Sequence, residues 1–243
     1  MRNGWWRELS GLVLPVDCAG CGRPRAGLCP ACKAALSGAH PRRVRPSPLP
    51  GRLPPVHAAA PYENAVRAVL LAHKERGALG LAGVLGRALA GSVRAGTGRG
   101  DPAAPLLLVP VPSARSSTRA RGHDPVLRIA RAAAGELRRG GLAARVLPVL
   151  RQRRPVADQA GLGAGARRAN LDGALAVAGG GGRLLARGPV CLVDDLLTTG
   201  STLAEAARAV AEAVGADAGT GRPPPCRAAV VAASRSAFEI IRN

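Results

Sequence analysis

The segment Val190–Leu203, VCLVDDLLTTGSTL, constrains the fold of this chain more than any other part of it. Its first four residues are apolar without interruption, the pattern of a strand covered on both faces inside a parallel sheet. Asp194 and Asp195 follow at the strand's carboxyl end, the edge at which open α/β sheets bind ligands. Thr198, Thr199, Gly200, Ser201 and Thr202 then offer hydroxyls and closely spaced backbone N–H groups in a turn that opens a helix. Such a turn, with a helix N-terminus behind it, is an anion site. A phosphate cup beside two carboxylates that can grip sugar hydroxyls suggests a phosphorylated ribose. A chance βα turn with two acids is the competing reading, and the joint occurrence of apolar strand, Asp-Asp and T-T-G-S-T argues against it.

The rest of the chain repeats this alternation. Strands are expected at Val56–Ala60, Leu106–Pro110, Ala144–Leu150, Ala174–Ala178 and Ala228–Ala233, and helices from Glu63, over Leu79–Val93, Val126–Leu137 and Thr202–Val214. Thr202 and Glu205 have capping-box spacing, and Gly215 stands where a C-cap glycine belongs. Strands alternating with helices imply an α/β fold with a parallel, doubly wound sheet. The arginine-rich stretch from Arg151 to Asn170, with Arg153, Arg154 and Gln159, has the length of a functional lid. The glycine run 179–182 reads as a flexible turn. With 243 residues there is room for one full domain and a small appendage. The expected division is a cysteine module over 1–45, a proline- and arginine-rich linker over 46–55 and the α/β domain over 56–243.

Two C-x-x-C knuckles, Cys18–Cys21 and Cys29–Cys32, define the appendage. Each pair delivers two thiolates from one tight turn, which suits a tetrahedral structural zinc site, and no open coordination position for catalysis is indicated. A redox dithiol pair is the alternative, although such a motif normally occurs singly beside a βαβ pattern. Leu28 and Leu36 offer too small a core for this module, so metal would have to hold it.

The formal charge of +20 at first suggests nucleic acid. Aromatic residues, however, are limited to Trp5, Trp6, Tyr62 and Phe238, too few for a single-strand stacking platform. Of the 35 basic residues only Lys33 and Lys74 are lysines, so the charge also reflects a compositional bias. It supports polyphosphate or nucleic-acid binding without choosing between them. Neither a transmembrane segment nor a signal peptide is expected, and the reading is cytoplasmic, with no membrane partner. Cysteines in that compartment point to metal or buried thiols.

The segment 190–203 resembles the PRPP-binding signature of the type I phosphoribosyltransferases (PRPP is phosphoribosyl pyrophosphate). Other stretches resemble one branch, the ComF or GntX-like family: the cysteine knuckles, Tyr62 to Lys74, the V-P-V-P strand end at Val109–Pro112, Arg119 to Asp124, and the Arg151–Asn170 loop. Here His123-Asp124 stands where that family has Phe-Asn, and Val156 where threonine is common. The resemblance implies that Asp194 and Asp195 contact the ribose hydroxyls and act in catalysis, and that Thr198 to Thr202 hold the 5′-phosphate. It also implies that Val111, Pro112 and Ser113 begin a pyrophosphate loop. Lys74, Arg119, Arg121, Arg153, Arg154 and Gln159 would serve the diphosphate or close over it. Mg²⁺ would accompany PRPP, held mostly by ligand oxygens and water. The implied reaction displaces pyrophosphate from PRPP with an unidentified acceptor. The family's link to natural competence adds a second class of function, a non-catalytic PRPP- or single-stranded-DNA-binding accessory of DNA uptake with a helicase-like partner. Neither lysine follows a glycine, so the chain carries no Walker A motif for an ATPase of its own. An oligomer is compatible with all of this.

Overall fold

The computed structural model describes residues 17–37, 40–97, 104–154, 171–218 and 226–239. In chain order these form α1 (Pro30–Ser37), β1 (Arg42–Val44), β2 (Val56–Pro61) and α2 (Asn64–Glu75), then a 3₁₀ turn (Leu79–Leu81) leading into α3 (Ala82–Thr97). β3 (Leu106–Pro110), α4 (Arg115–Arg121), α5 (Pro125–Arg139) and β4 (Ala144–Val146) follow. A hairpin of β5 (Leu150–Gln152) and β6 (Leu175–Val177) precedes α6 (Gly181–Leu185). The chain then runs through β7 (Val190–Leu197), α7 (Ser201–Ala218), β8 (Cys226–Ala233) and α8 (Arg235–Glu239).

The central sheet has six strands in the order β1-β2-β8-β7-β3-β4. All neighbours in it are parallel except β1, which pairs antiparallel with β2. Its inner strands are apolar on both sides because both faces are covered. On one face Val69 of α2, Leu85 and Leu89 of α3, and Ile129 and Leu137 of α5 pack with Cys191 and Val193. On the other, Leu203 and Val210 of α7, Leu185 of α6 and Phe238 of α8 pack with Val190 and Leu192. Successive residues of β7 thus serve opposite layers, as the period of two requires. Helices α3 and α5 touch closely at Gly86, where an added Cβ would sit 2.4 Å from that of Ala132.

Several local expectations are corrected. The apolar run Ala144–Leu150 does not form one strand: β4 stops at Val146, and β5 starts beyond Pro148 in the separate hairpin. Proline lacks the N–H that a continuous ladder needs. The short strand β1 arises at the end of the span expected to be the cysteine module, with Arg42 and Arg43 exposed and Val44 buried. Helix α3 continues through Gly96 to Thr97, and α7 continues through Gly215 to Ala218. Gly180, in the left-handed region at φ +75°, starts α6 within the run expected to be a turn. Leu36 of α1 is fully buried in the main core, so the cysteine segment rests directly on the α/β layers. No described helix is long and apolar enough to cross a membrane.

The topology itself locates a crevice. The chain leaves β3 through α5, on one face, to reach β4, and leaves the adjacent β7 through α7, on the other face, to reach β8. Neighbouring parallel strands whose connections diverge to opposite faces form a switch point, and ligands bind at their carboxyl ends.

Candidate functional site

At that switch point β7 presents its two carboxylates. Asp195 is buried, at 6% exposure, and its Oδ2 lies 2.8 Å from the Lys74 ammonium at the end of α2. Asp194 is partly exposed, and its Oδ1 accepts the Asp195 backbone N–H at 2.8 Å. Burial and the adjacent Asp195 push the Asp194 carboxyl well above the usual range, against the opposing pull of Lys74. For Lys74, burial disfavours the charge, but Asp195 outweighs it, helped by Asp194 and Glu75, and its pKa lies above the ordinary lysine value. One carboxyl that tends to keep its proton therefore sits beside one held by a cation.

The turn after β7 depends on Gly200, at φ +78°. A side chain there would also strike Leu53, whose Cδ2 would lie 2.9 Å from the added Cβ. Thr199 Oγ1 and Ser201 Oγ are 3.1 Å apart, while Thr198 is exposed and Ser201 buried. The Ala204 N–H donates to Gly200 O at 2.9 Å, so α7 is already wound at Ser201 and Thr202 lies inside it. The first N–H groups of the helix thus open at this turn. A cavity of about 330 Å³ adjoins it, bounded by Ser201, Ala204, Arg52 and Asp172. Glu205 does not complete a capping box. Its carboxylate accepts the Leu175 N–H at 3.0 Å and pairs with Arg208 at 2.8 Å, and Arg208 donates to Leu175 O, fastening α7 to β6.

The end of β3 forms the other wall of the switch point. Val111 N–H donates to Val193 O at 2.9 Å, after which the chain turns away at Pro112 and Ser113. Pro112, Ser113 and Arg119 line a larger cavity of about 540 Å³, closed on the far side by Pro148, Arg151 and Gln152. None of residues 194–202 lines it. Arg121 is directed elsewhere, onto Glu75 at 3.0 Å. The Arg153 N–H donates to Ala174 O, and the Arg154 guanidinium donates to Asp172 O, both at 2.9 Å and both on exposed residues. Gln159 and Val156 lie outside the described residues.

Three consecutive residues at the end of α2 each make a tertiary contact here, and of these only Lys74 was expected at the site. His73, fully buried, places its ring nitrogens 3.3 Å from Ala78 O and 3.4 Å from Pro125 O. Lys74 holds Asp195, and Glu75 holds Arg121. His123 packs edge-on against His73, with ring centroids 6.1 Å apart. Asp124 caps α5 by accepting the Leu127 N–H at 3.0 Å, a role that asparagine fills equally well. Arg151 and Gln152 were overlooked because arginine is so frequent that one more carries no signal.

The four cysteines do converge. The sulfurs of Cys18, Cys21, Cys29 and Cys32 all lie within 4.8 Å of one another, with only Cys21 exposed. A tetrahedral thiolate set with metal–sulfur bonds of about 2.3 Å has sulfurs about 3.8 Å apart. Cys21 and Cys29 are 3.7 Å apart. The N–H of Cys29 donates to Cys18 Sγ at 3.3 Å and, against the effect of burial, lowers the Cys18 thiol to about 6. Cys29 is lowered as well, chiefly by the Cys32 N–H, whereas burial and the neighbouring sulfurs raise Cys32. The cluster could hold a metal ion, and part of its donor set is ready as thiolate. In comparisons with known proteins, no family model matches the chain and no curated protein matches it significantly.

Proposed function

We propose that this protein binds PRPP and belongs with the ComF-type phosphoribosyltransferases, carrying a structural zinc ion on its four cysteines. The observation that carries the reading is the placement of Asp194-Asp195 and the T-T-G-S-T turn. Both occur at the carboxyl end of β7, beside β3, where the connections diverge. In this reading the helix N-terminus of α7 and the hydroxyls of Thr198, Thr199, Ser201 and Thr202 receive the 5′-phosphate, and Gly200 lets the backbone close around it. Asp195, paired with Lys74, accepts a hydrogen bond from one ribose hydroxyl. Asp194, which tends to keep its proton, can donate to or accept from the other.

Transfer then forms a bond from the acceptor's nucleophile to C1 of the ribose while the C1–O bond to the diphosphate breaks. The electron pair leaves on pyrophosphate. Positive charge gathers on the sugar, near the carboxylates, and negative charge on the leaving group, near the β3 loop with Ser113 and Arg119. Mg²⁺ bound with PRPP would neutralise part of the diphosphate charge. Lys74 serves the ribose carboxylate and not the leaving group. The charge of +20 keeps a second reading in play, a non-catalytic PRPP- or single-stranded-DNA-binding accessory. In that case DNA affinity falls steeply with salt and no pyrophosphate is released. The test is pyrophosphate release across amines, nucleobases and DNA ends, with Asp194→Asn/Asp195→Asn as control. The double variant should keep its fold by circular dichroism and lose PRPP binding; a variant that binds PRPP like wild type would refute the assignment.

A further inference from the structure

The larger cavity lies next to the cup without sharing a residue with it. At about 540 Å³ it has the size of a small-molecule site. It opens between the end of β3, which pairs directly with the carboxylate-bearing β7, and the first strand of the β5–β6 hairpin. Its hairpin wall combines an apolar surface, Pro148 and Leu150, with two polar side chains, Arg151 and Gln152. Among the described residues no hydrogen bond or ion pair engages either of these side chains.

Arg119, on the opposite wall of the cavity, shares that state, whereas two other guanidiniums do not. Arg121 is neutralised by Glu75, and Arg208 by Glu205 and Glu212. Among the described residues the one carboxylate lining the cavity, that of Asp124, is already engaged as the cap of α5. With Arg119 on the opposite wall, the field inside is net positive. Among the described residues no aromatic ring lines the cavity, so they offer no stacking surface that would favour a neutral base. A carboxylate, in contrast, matches an unpaired guanidinium in geometry and charge.

Resting on the phosphoribosyl-transfer reading, we propose that this cavity holds the acceptor, and that the acceptor is a small organic anion whose carboxylate docks on Arg151. The diphosphate side of the cavity is then Ser113 and Arg119, and the acceptor side is Pro148 to Gln152. The arrangement brings an anionic acceptor against the β3 end, one strand from Asp194 and Asp195.

Matched probes test this: nicotinate against nicotinamide and orotate against uracil, titrated into the full-length protein with and without saturating PRPP and Mg²⁺. In at least one pair the carboxylate should bind about tenfold more tightly than its neutral partner. Arg151→Leu, on an exposed strand position, should erase that preference while PRPP affinity stays within about threefold of wild type. Equal binding within both pairs, or a preference that survives Arg151→Leu, overturns the proposal. So does inorganic pyrophosphate that displaces the carboxylate and weakens in parallel in Arg151→Leu, because the cavity would then belong to the diphosphate. A wild type that ignores PRPP refutes the parent reading as well, whereas failure of the acceptor proposal alone leaves PRPP binding intact.

Discussion

At the scale of single residues, the candidate site is built from a carboxyl that resists ionisation, Asp194, and another paired with a lysine, Asp195. Asp194 has a raised pKa in the folded protein, so its contribution to stability is present below the ordinary carboxylate value of 3.8 and is lost as pH rises through the folded value. At pH 8 the native state therefore carries a cost that an amide would remove. Asp194→Asn should keep the bond from the Asp195 N–H and raise the melting temperature at pH 8 by about 2–5 °C. It should also flatten the pH dependence and weaken PRPP binding; a lower melting temperature would contradict the charge assignment. Lys74→Met strands the buried Asp195 and should cost about 1–3 kcal/mol in urea unfolding, most of it absent in an Asp195→Asn background. Asp194 and Asp195 were legible in the sequence because strand, acids and hydroxyl turn are contiguous. Lys74 stood out as a rare lysine and through the family resemblance, which assigned it to the diphosphate, whereas in the structure it pairs with Asp195. Its partner is 121 residues away, a distance across which no local pattern speaks.

Among the elements, β7 and α7 were legible in kind and at their starts, but β7 runs four residues past the apolar run, through both aspartates to Leu197, and α7 runs past Gly215 to Ala218. The errors came where one local signal can serve two physical ends. Glu205 has the spacing of a capping box, yet the first turn of α7 is already wound at Ser201, and the carboxylate is used to bind β6 and Arg208. Burial raises the Glu205 pKa, but Arg208 and the Leu175 N–H outweigh it, and the net shift is downward. Its stabilising contribution is thus present above the ordinary glutamate value of 4.5 and lost as pH falls through the depressed folded value. Glu205→Gln should lower stability at pH 7 by about 1–3 kcal/mol and make acid unfolding less steep, as followed by fluorescence of a dye that binds exposed core. A parallel acid profile in wild type and variant would show that the tie to β6 carries no weight. Ala144–Leu150 misled in the same way: apolar content said strand, and Pro148 decided that there would be two.

On the scale of the whole molecule, the alternation of strands and helices predicted a parallel α/β sheet, and the sheet present is mostly parallel, with β1 added antiparallel at its edge. Less legible was how the cysteine segment sits, because nothing local says that Leu36 enters the main core. Metal should therefore support more than its own loops. The purified protein should hold about one equivalent of zinc, and chelation should lower its melting temperature by several degrees, roughly 5–10 °C. Under half an equivalent with an unchanged melting temperature would contradict a structural metal. The charge of +20 fits an anionic ligand of any size, and the proposal of a ribose phosphate rests on Asp194-Asp195 and the hydroxyl turn at the switch point. Calorimetric titration of the wild-type protein with PRPP and Mg²⁺ at moderate salt tests that claim most directly. The account predicts saturable binding of about one PRPP per chain, with a dissociation constant in the micromolar range or tighter. Absence of binding, with a steeply salt-dependent affinity for single-stranded DNA in its place, would contradict it.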